Sequence, residues 1–483
     1  MKSLLVSHLS HFTAVRYLSE ALFAVRGFIL AHILGPLTFG LWTEMRLFLT
    51  LLQFIRLGTN EAFVRDYPYH VGQGTPEIGE RIKQATNGFN FLTGVAVSIT
   101  GAFLLLSGEY SNTIENSFSW LLWLVVFFLN QIYWLVQSQL QAAKLFLETC
   151  KLLAGFSLIS TIGGIIFAFL YGLSGFLCTL IASYALIISF VLGFSIKQLK
   201  PSLDMVLIHQ LIRSGFPIMA ANALLIFLLN IDKLIIWWLL PSKDLGIYSI
   251  QSHVTNFILL APGSIALLLF PTVMEKLGET KKPESISVYL TQPTLLLAYM
   301  ACPVLGVMYF ALHLPIRWLV PDYLAAIRPG QILILASFFV IVGRMPAAIL
   351  VSLKKQNLLM TISFLPVVAT SVTSYFAIDS GKGIVGVAGC SALGFFIYSF
   401  LVTLLACHEI NLSTKKITRL FIKIAVPLLV TLLSIGMIDN YIPSNYSDWP
   451  SDAIQTTYKC LLLLIPTGGI LLIYRLNNSM LHD

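Results

Sequence analysis

Fourteen apolar runs, most of them about 20 residues long and separated by short polar breaks, dominate this chain. They occupy 12–34, 39–62, 86–107, 118–140, 152–172, 174–194, 211–239, 246–269, 288–311, 330–352, 358–378, 384–407, 421–438 and 456–475. A run of that length, wound as a helix, crosses a hydrocarbon core of ~30 Å. Backbone N–H and C=O groups in oil must find partners inside the protein, which leaves only helices and closed barrels. Barrel strands would be ~10-residue segments of alternating polarity, and these runs do not alternate. The expected fold class is an all-α polytopic membrane protein with fourteen transmembrane helices.

Composition excludes the other classes. Of 483 residues, 57% are hydrophobic and 11% charged, whereas a soluble domain carries roughly 25% charged residues. A soluble chain this apolar could not cover its own surface, and disorder needs the opposite composition. None of the six cysteines stands in a C-x-x-C spacing, and Cys178, Cys302 and Cys390 lie inside apolar runs. Neither a disulfide scaffold nor a zinc module is encoded, and no metal or cofactor is expected. The net charge of +8 is scattered between apolar runs rather than gathered into a nucleic-acid-binding face.

Loop charge predicts the orientation. With the N-terminus inside, the inner loops hold 19 basic residues: Lys2; Arg65, Arg81 and Lys83; Lys144 and Lys151; Lys197, Lys200 and Arg213; Lys276, Lys281 and Lys282; Lys354 and Lys355; Lys415, Lys416, Arg419 and Lys423; and Arg475. The outer loops hold 4: Lys243, Arg317, Arg328 and Lys382. This asymmetry favours both termini in the cytoplasm and supports an even number of spans. The first apolar stretch is broken by His8 and His11 and leads into the first span without a cleavable-signal pattern.

Displacing the chain by 206 residues sets ILAHILGPLTFGLW (29–42) on IIWWLLPSKDLGIY (235–248) without a gap. Gly40 falls on Gly246 and Trp42 on Tyr248. The offset joins spans 1–2 to spans 7–8, so the expected design is a parallel repeat of two six-helix lobes. Residues 1–200 form the N-lobe, 201–410 the C-lobe, and 411–483 two extra C-terminal helices outside the repeat. Parallel repeats of this kind build transporters whose site lies near the bilayer midplane.

Ionisable residues within the spans point to that site. Each costs ~2.5–3.5 kcal/mol near the bilayer centre, so it should face a partner or a wet cavity. On a helix advancing about 100° per residue, Arg46, Gln53, Arg56 and Asn60 of the second span fall within about 80° of arc. Arg16, Ser19, Glu20 and Arg26 of the first span lie within about 120°, with Arg16 and Glu20 spaced to pair one turn apart. In the eighth span Ser249, Ser252, His253 and Asn256 share about 100°, and Ser252 is the 206-residue counterpart of Arg46. These stripes predict a water-accessible cationic cavity between the lobes, lined by Arg16, Arg26, Arg46, Arg56, Gln53, Asn60, Ser252, His253 and Asn256. Such a cavity suits an anion, and the guanidinium fork matches phosphate oxygens. Glu44, Glu61, Lys233 and Lys459, near span ends, read more simply as interhelical or interfacial groups; Arg344 fits either role. In the fourth span Asn130, Trp134, Gln137 and Gln141 share a face that could contact sugars or bind neighbouring helices. His32, His253 and His313 have no partners at metal-ligand spacing.

The chain has no GxxxxGK[ST] loop, GxSxG elbow, HExxH or paired carboxylates on a long soluble loop. Transport without its own ATPase, and no enzymatic activity, is the expectation. The segment ILGPLTFGLWTEMRLFLTLLQFIRLGTNEAFVRDYP (33–68) resembles the N-terminal signature of polysaccharide-biosynthesis flippases of the multidrug/oligosaccharidyl-lipid/polysaccharide exporter superfamily. The segment LIRSGFPIMAANALLIFLLNIDKLIIWWLLPSKDLGIYSI (211–250) is similar to that family's seventh-to-eighth span signature, in Gly215, Pro217, Asp232, Lys233, Leu245, Gly246 and Tyr248. The resemblance implies a flippase that carries undecaprenyl-pyrophosphate-linked oligosaccharide across a bacterial or archaeal cytoplasmic membrane by alternating access. The family's cavity arginines correspond by position to Arg16, Arg26, Arg46 and Arg56. The implied partners are the lipid-linked anionic oligosaccharide, membrane lipid, and the glycosyltransferases and polymerase of the same pathway. The chain is expected to act as a monomer. The alternatives are an ion-coupled multidrug or cation antiporter of the same superfamily, and a membrane-embedded glycan polymerase or ligase. Against the last, the loops at 311–329 and 439–455 are short.

Overall fold

The computed structural model describes the backbone of residues 2–107, 114–143, 145–191, 193, 200–280, 282–442 and 448–479. The side chains of 2–12, 114–116, 221, 261–268, 270–272, 274–275, 278 and 473–479 are not described. Among the inner-loop cations, Lys144, Lys197, Lys281 and the side chains of Lys2 and Arg475 therefore lie outside the described residues.

The described residues form helices and no strand. In order these are α1 (Lys2–Leu52), α2 (Thr59–Gly72), α3 (Pro76–Leu106), α4 (Ile114–Ala142), α5 (Phe146–Val191) and α6 (Met205–Leu228). The short α7 (Ile231–Leu239) and α8 (Ser242–Ser249) lead to α9 (Ser252–Thr280), α10 (Ser287–Ala311), α11 (His313–Leu319) and α12 (Ile327–Ser352). The chain closes with α13 (Gln356–Asp379), α14 (Gly383–Glu409), α15 (Thr414–Tyr441) and α16 (Trp449–Ser479).

Among the described residues, eleven helical stretches are long and apolar enough to span a membrane. Two of them, of 44 and 46 residues, are about twice the length one crossing needs. Each is broken at a glycine with positive φ, Gly35 (φ 69°, ψ 169°) in α1 and Gly172 (φ 61°, ψ −145°) in α5. These conformations belong almost only to glycine, so each break makes two crossings from one long helix. With α9, a further helix of 29 residues, the described residues hold fourteen long helical segments, the number of spans that the sequence predicts. Gly35, the break in α1, lies 206 residues before Pro241, in the extended link Leu240–Pro241 between α7 and α8, the offset of the internal repeat.

Two spans depart from the expected helices. The second span does not run unbroken to 62: α1 ends at Leu52, a 3-10 turn covers Gln53–Arg56, and Leu57 (φ 49°) and Gly58 (φ 83°) are left-handed. The cause is tertiary. A Cβ on Gly58 would lie 2.4 Å from the carbonyl carbon of Gly215 in α6, so the chain turns where two backbones touch. In the eighth span, Ser249 ends α8 and Ser252 opens α9, so those serines do not share one continuous helix.

The chain divides into two compact units, Met1–Ala223 and Leu224–Asp483, the division falling within α6. In the N-terminal unit the first half of α6 joins a core with α2, α3 and α4, built from Ala62, Phe63, Ile82, Ala85, Ala142, Ile208 and Leu211. Helices α1 and α5 are joined by Ser19 Oγ donating to Ser157 Oγ at 3.2 Å, and α4 to α1 by Trp123 Nε1 donating to the Met45 carbonyl at 2.9 Å. In the C-terminal unit α12 and α14 form the centre. The pair α15–α16 packs on α10 through Tyr309, Phe310, Ile435, Ile438 and Leu463. Small residues allow these close approaches: a Cβ on Gly306 would lie 2.2 Å from Leu463.

Candidate functional site

The N-terminal unit gathers guanidinium groups around a single carboxylate. Glu20 lies within electrostatic reach of Arg16, Arg46 and Arg26, giving three positive charges to one negative. The Gly35 break makes this possible, because it returns the second arm of α1, with Arg46, alongside the first. Arg16 is exposed, and Glu20, Arg26 and Arg46 are half-buried. The expected Arg16–Glu20 pair does not form. Among the described residues no ion pair within 4.0 Å engages Arg16, Arg26, Arg46 or Arg56. Glu20 instead sits among several cations and is held by none.

Arg26 is the most constrained of them. One guanidinium nitrogen donates to Ser160 Oγ of α5 at 2.7 Å. Its carbon lies 4.7 Å from the centre of the Phe23 ring and 5.4 Å from that of Phe176. Such cation–aromatic contacts offset part of the cost of taking the charge out of water. Tyr184 is within electrostatic reach of Arg26, stacks on Phe156 at 4.4 Å and accepts a hydrogen bond from Asn130 Nδ2 at 2.8 Å. The cationic face thus has aromatic walls.

Arg56 has different surroundings. It is buried, with Glu61 as its electrostatic neighbour, and its guanidinium lies 5.9 Å from the Trp134 ring. The left-handed turn leaves carbonyls at the end of α1 and in the 3-10 turn without helical partners, and two candidate side chains supply donors: Gln53 Nε2 to the Thr50 carbonyl at 2.7 Å, and Arg56 Nε to the Gln53 carbonyl at 2.9 Å. Asn60, carried on α2, accepts from Asn90 Nδ2 at 2.8 Å. The structure brings Arg16, Arg26 and Arg46 together; Gln53, Arg56 and Asn60 cluster at the α1–α2 turn.

Ser252, His253 and Asn256 belong to the C-terminal unit. Ser252 is buried, His253 half-buried and Asn256 exposed. The hydroxyls of Ser249 and Ser252 lack a hydrogen-bond partner among the described residues. Of the span-end groups, Lys459 pairs with Asp439 at 3.0 Å, and Lys233 Nζ donates to Asn230 Oδ1 at 3.0 Å. Both act as the interhelical or local groups that the simpler reading expects. Buried Asp232 accepts from the Tyr248 hydroxyl at 2.6 Å.

Sequence reasoning passed over Asn87, Asn90, Gln139, Ser160 and Tyr184. Gln139 Nε2 donates to Asn87 Oδ1 at 2.7 Å, extending the amide row that starts at Asn60–Asn90. Asn87 and Asn90 stand three apart in the third span, a same-face signal of the kind used for the second span. Nothing comparable marks Ser160 or Tyr184, which are single polar groups in apolar runs. The N-terminal unit also holds an apolar pocket of about 520 Å³ walled by Phe48, Ile55, Gly101, Trp120 and Trp123.

The family described as Polysaccharide biosynthesis protein matches residues 7–276 of this chain. Curated protein sequences yield no match. The fold is similar to that of an inward-facing multidrug resistance transporter of the MATE family and MOP superfamily, with a TM-score of 0.70, 12% identity, and coverage of 83% of this chain and 95% of that one. It is also similar to the lipid II flippase MurJ in an inward closed conformation, with a TM-score of 0.66, 18% identity, and coverage of 96% and 98%. A MOP superfamily transporter from Pyrococcus furiosus, described as having a binding pocket of reverse polarity, gives a TM-score of 0.58 at 12% identity over 84% and 95%.

Proposed function

This chain belongs to the polysaccharide biosynthesis protein family, and on that premise we propose that it is a flippase moving lipid-linked, pyrophosphate-bearing oligosaccharide across the cytoplasmic membrane. The observation that carries this reading is the excess of unpaired guanidinium groups at Arg16, Arg26 and Arg46 around Glu20 in the N-terminal unit. The arginines hold the pyrophosphate with forked, charge-assisted hydrogen bonds. Aromatic and amide groups on the same unit, Trp134, Tyr184 and Gln137, contact the sugars. The prenyl tail stays in the bilayer while the headgroup crosses by alternating access. In this reading both termini lie in the cytoplasm, and the excess of basic residues in the loops on that side supports it.

The test is export of glycan in cells carrying Arg46→Ala or Arg56→Ala. A charge-assisted hydrogen bond contributes about 1.5–3 kcal/mol, so each substitution should lower outer-leaflet glycan ~10- to 100-fold at an unchanged amount of protein in the membrane. Wild-type export in both variants would remove the cationic mechanism. One observation favours the second reading, an antiporter of organic cations: the buried carboxylate of Asp232. That reading expects purified protein to bind lipophilic cations, and Asp232→Asn to abolish the binding.

A further inference from the structure

The C-terminal unit holds a buried histidine–aspartate pair that the transport reading does not use. His313 opens α11, and Asp452 lies in the first turn of α16; both are buried. His313 Nδ1 is 2.6 Å from the Phe310 carbonyl oxygen, and Nε2 is 2.8 Å from Asp452 Oδ1 and 3.3 Å from Thr456 Oγ1. The other Asp452 oxygen accepts the Trp318 Nε1 hydrogen at 2.8 Å.

Hydrogen-bond arithmetic constrains the protons here. A carbonyl oxygen can only accept, so Nδ1 carries a hydrogen. A neutral imidazole then turns a lone pair at Nε2 toward Asp452, and an ionised carboxylate turns another back at 2.8 Å. Two acceptors do not meet at that distance in a buried site unless a proton lies between them. The longer Thr456 contact leaves this conflict in place. The other charged and titratable groups on the surrounding elements are largely matched elsewhere. Lys459 of α16 pairs with Asp439 of α15 at 3.0 Å, and Tyr309 of α10 lies beside Asp439 and Arg328. Arg317 of α11, Asp322 and Tyr323 of the turn after it, Asp448 before α16, Tyr458 of α16, and Tyr289 and Tyr299 of α10 are the others on these elements.

We propose that His313 and Asp452 form a proton-binding site, holding one proton more than a neutral imidazole and a carboxylate, and that this proton latches α16 to the junction of α10 and α11. Further along α16, Leu463 is wedged against Gly306 and Phe310, so the latch governs the end of the helix and not its whole length. The sign follows from the bond. On the acid side the proton is present and the latch is closed. As pH rises the proton leaves, two lone pairs face each other, and the first turns of α16 loosen. The site requires no cargo and stands apart from the flippase reading.

The test uses the full-length protein in detergent with ¹⁵N-labelled histidine, the His313 signals being assigned by their loss in His313→Gln. The expected result is an imidazole that carries or shares a proton at Nε2 on the acid side and loses it as pH rises, within the range over which the protein stays folded. Asp452→Asn should abolish that transition, since its amide N–H donates to Nε2 without titrating. Hydrogen exchange over 449–460, corrected for intrinsic rates, should speed up with pH in the wild type and not in Asp452→Asn. A His313 that stays neutral with a bare Nε2 throughout that range would overturn the proton site. Exchange over 449–460 that shows no extra pH dependence in the wild type, or the same one in Asp452→Asn, would overturn the latch. If Asp452→Asn fails to fold, the wild-type imidazole signals still decide the first point.

Discussion

Arg26 combines two roles that substitutions can separate. Its hydrogen bond to Ser160 joins α1 to α5, while its charge contributes to the cationic face. Interhelical hydrogen bonds in membranes contribute about 0.6–1.7 kcal/mol, so Ser160→Ala should lower stability by about that amount in thermal unfolding and leave export near wild type. Arg26→Lys should lower export, because an ammonium keeps the charge but loses the fork; undiminished export in that variant would count against guanidinium recognition. Asp204, just before α6, illustrates charge at the membrane surface. Its Oδ1 accepts the Leu207 backbone N–H at 3.1 Å and its Oδ2 accepts an Arg81 guanidinium N–H at 2.9 Å. These two contacts, the backbone N–H foremost and Arg81 next, hold its carboxyl below the usual aspartate range. A depressed carboxyl contributes stability above the ordinary value of about 3.9 and loses it as pH falls through the depressed one. Asp204→Asn should therefore melt below wild type at neutral pH, and the gap should close in strong acid. The exposed setting keeps the effect small.

Elements are delimited by two kinds of glycine, and the difference predicts which substitutions are tolerated. Gly35 has no atom within 4 Å of a would-be Cβ, so Gly35→Ala costs only the backbone strain, about 1–3 kcal/mol. Gly58 combines a φ of +83° with a would-be Cβ 2.4 Å from the Gly215 carbonyl carbon, and a Cβ on Gly215 would lie 2.0 Å from the Gly58 oxygen. Backbone cannot yield as a flexible side chain does, so Gly58→Ala and Gly215→Ala should each cost more than ~3 kcal/mol. The check is the yield of monodisperse protein and its melting temperature in detergent, with Gly35→Ala the mildest of the three. The Gly35 break is legible as Gly-Pro between two apolar runs. The turn at Gly58 is not, because its cause lies 157 residues further along the chain, and the polar residues around it read equally as one face of a continuing helix.

At the scale of the molecule, the charge bias predicts a topology that single cysteines can test. In a background lacking the six native cysteines, Lys282→Cys and Lys355→Cys should react only with reagent on the cytoplasmic side, and Lys243→Cys and Lys382→Cys only from outside. Labelling of all four from one side would rule out the predicted arrangement. The sequence by itself determined the helical membrane class, the fourteen crossings and most of their limits. Backbone groups in oil must be satisfied within each segment, so every apolar run carries its own length and type of structure. Only the tertiary structure decided which polar groups act together. Arg26 meets Ser160 across 134 residues and His313 meets Asp452 across 139. Gln53, expected on a polar stripe, turns back to close the end of its own helix. A single polar residue per turn looks the same in sequence whether it lines a cavity, caps a helix end or bonds a neighbouring helix, and that choice depends on which helix face meets which neighbour.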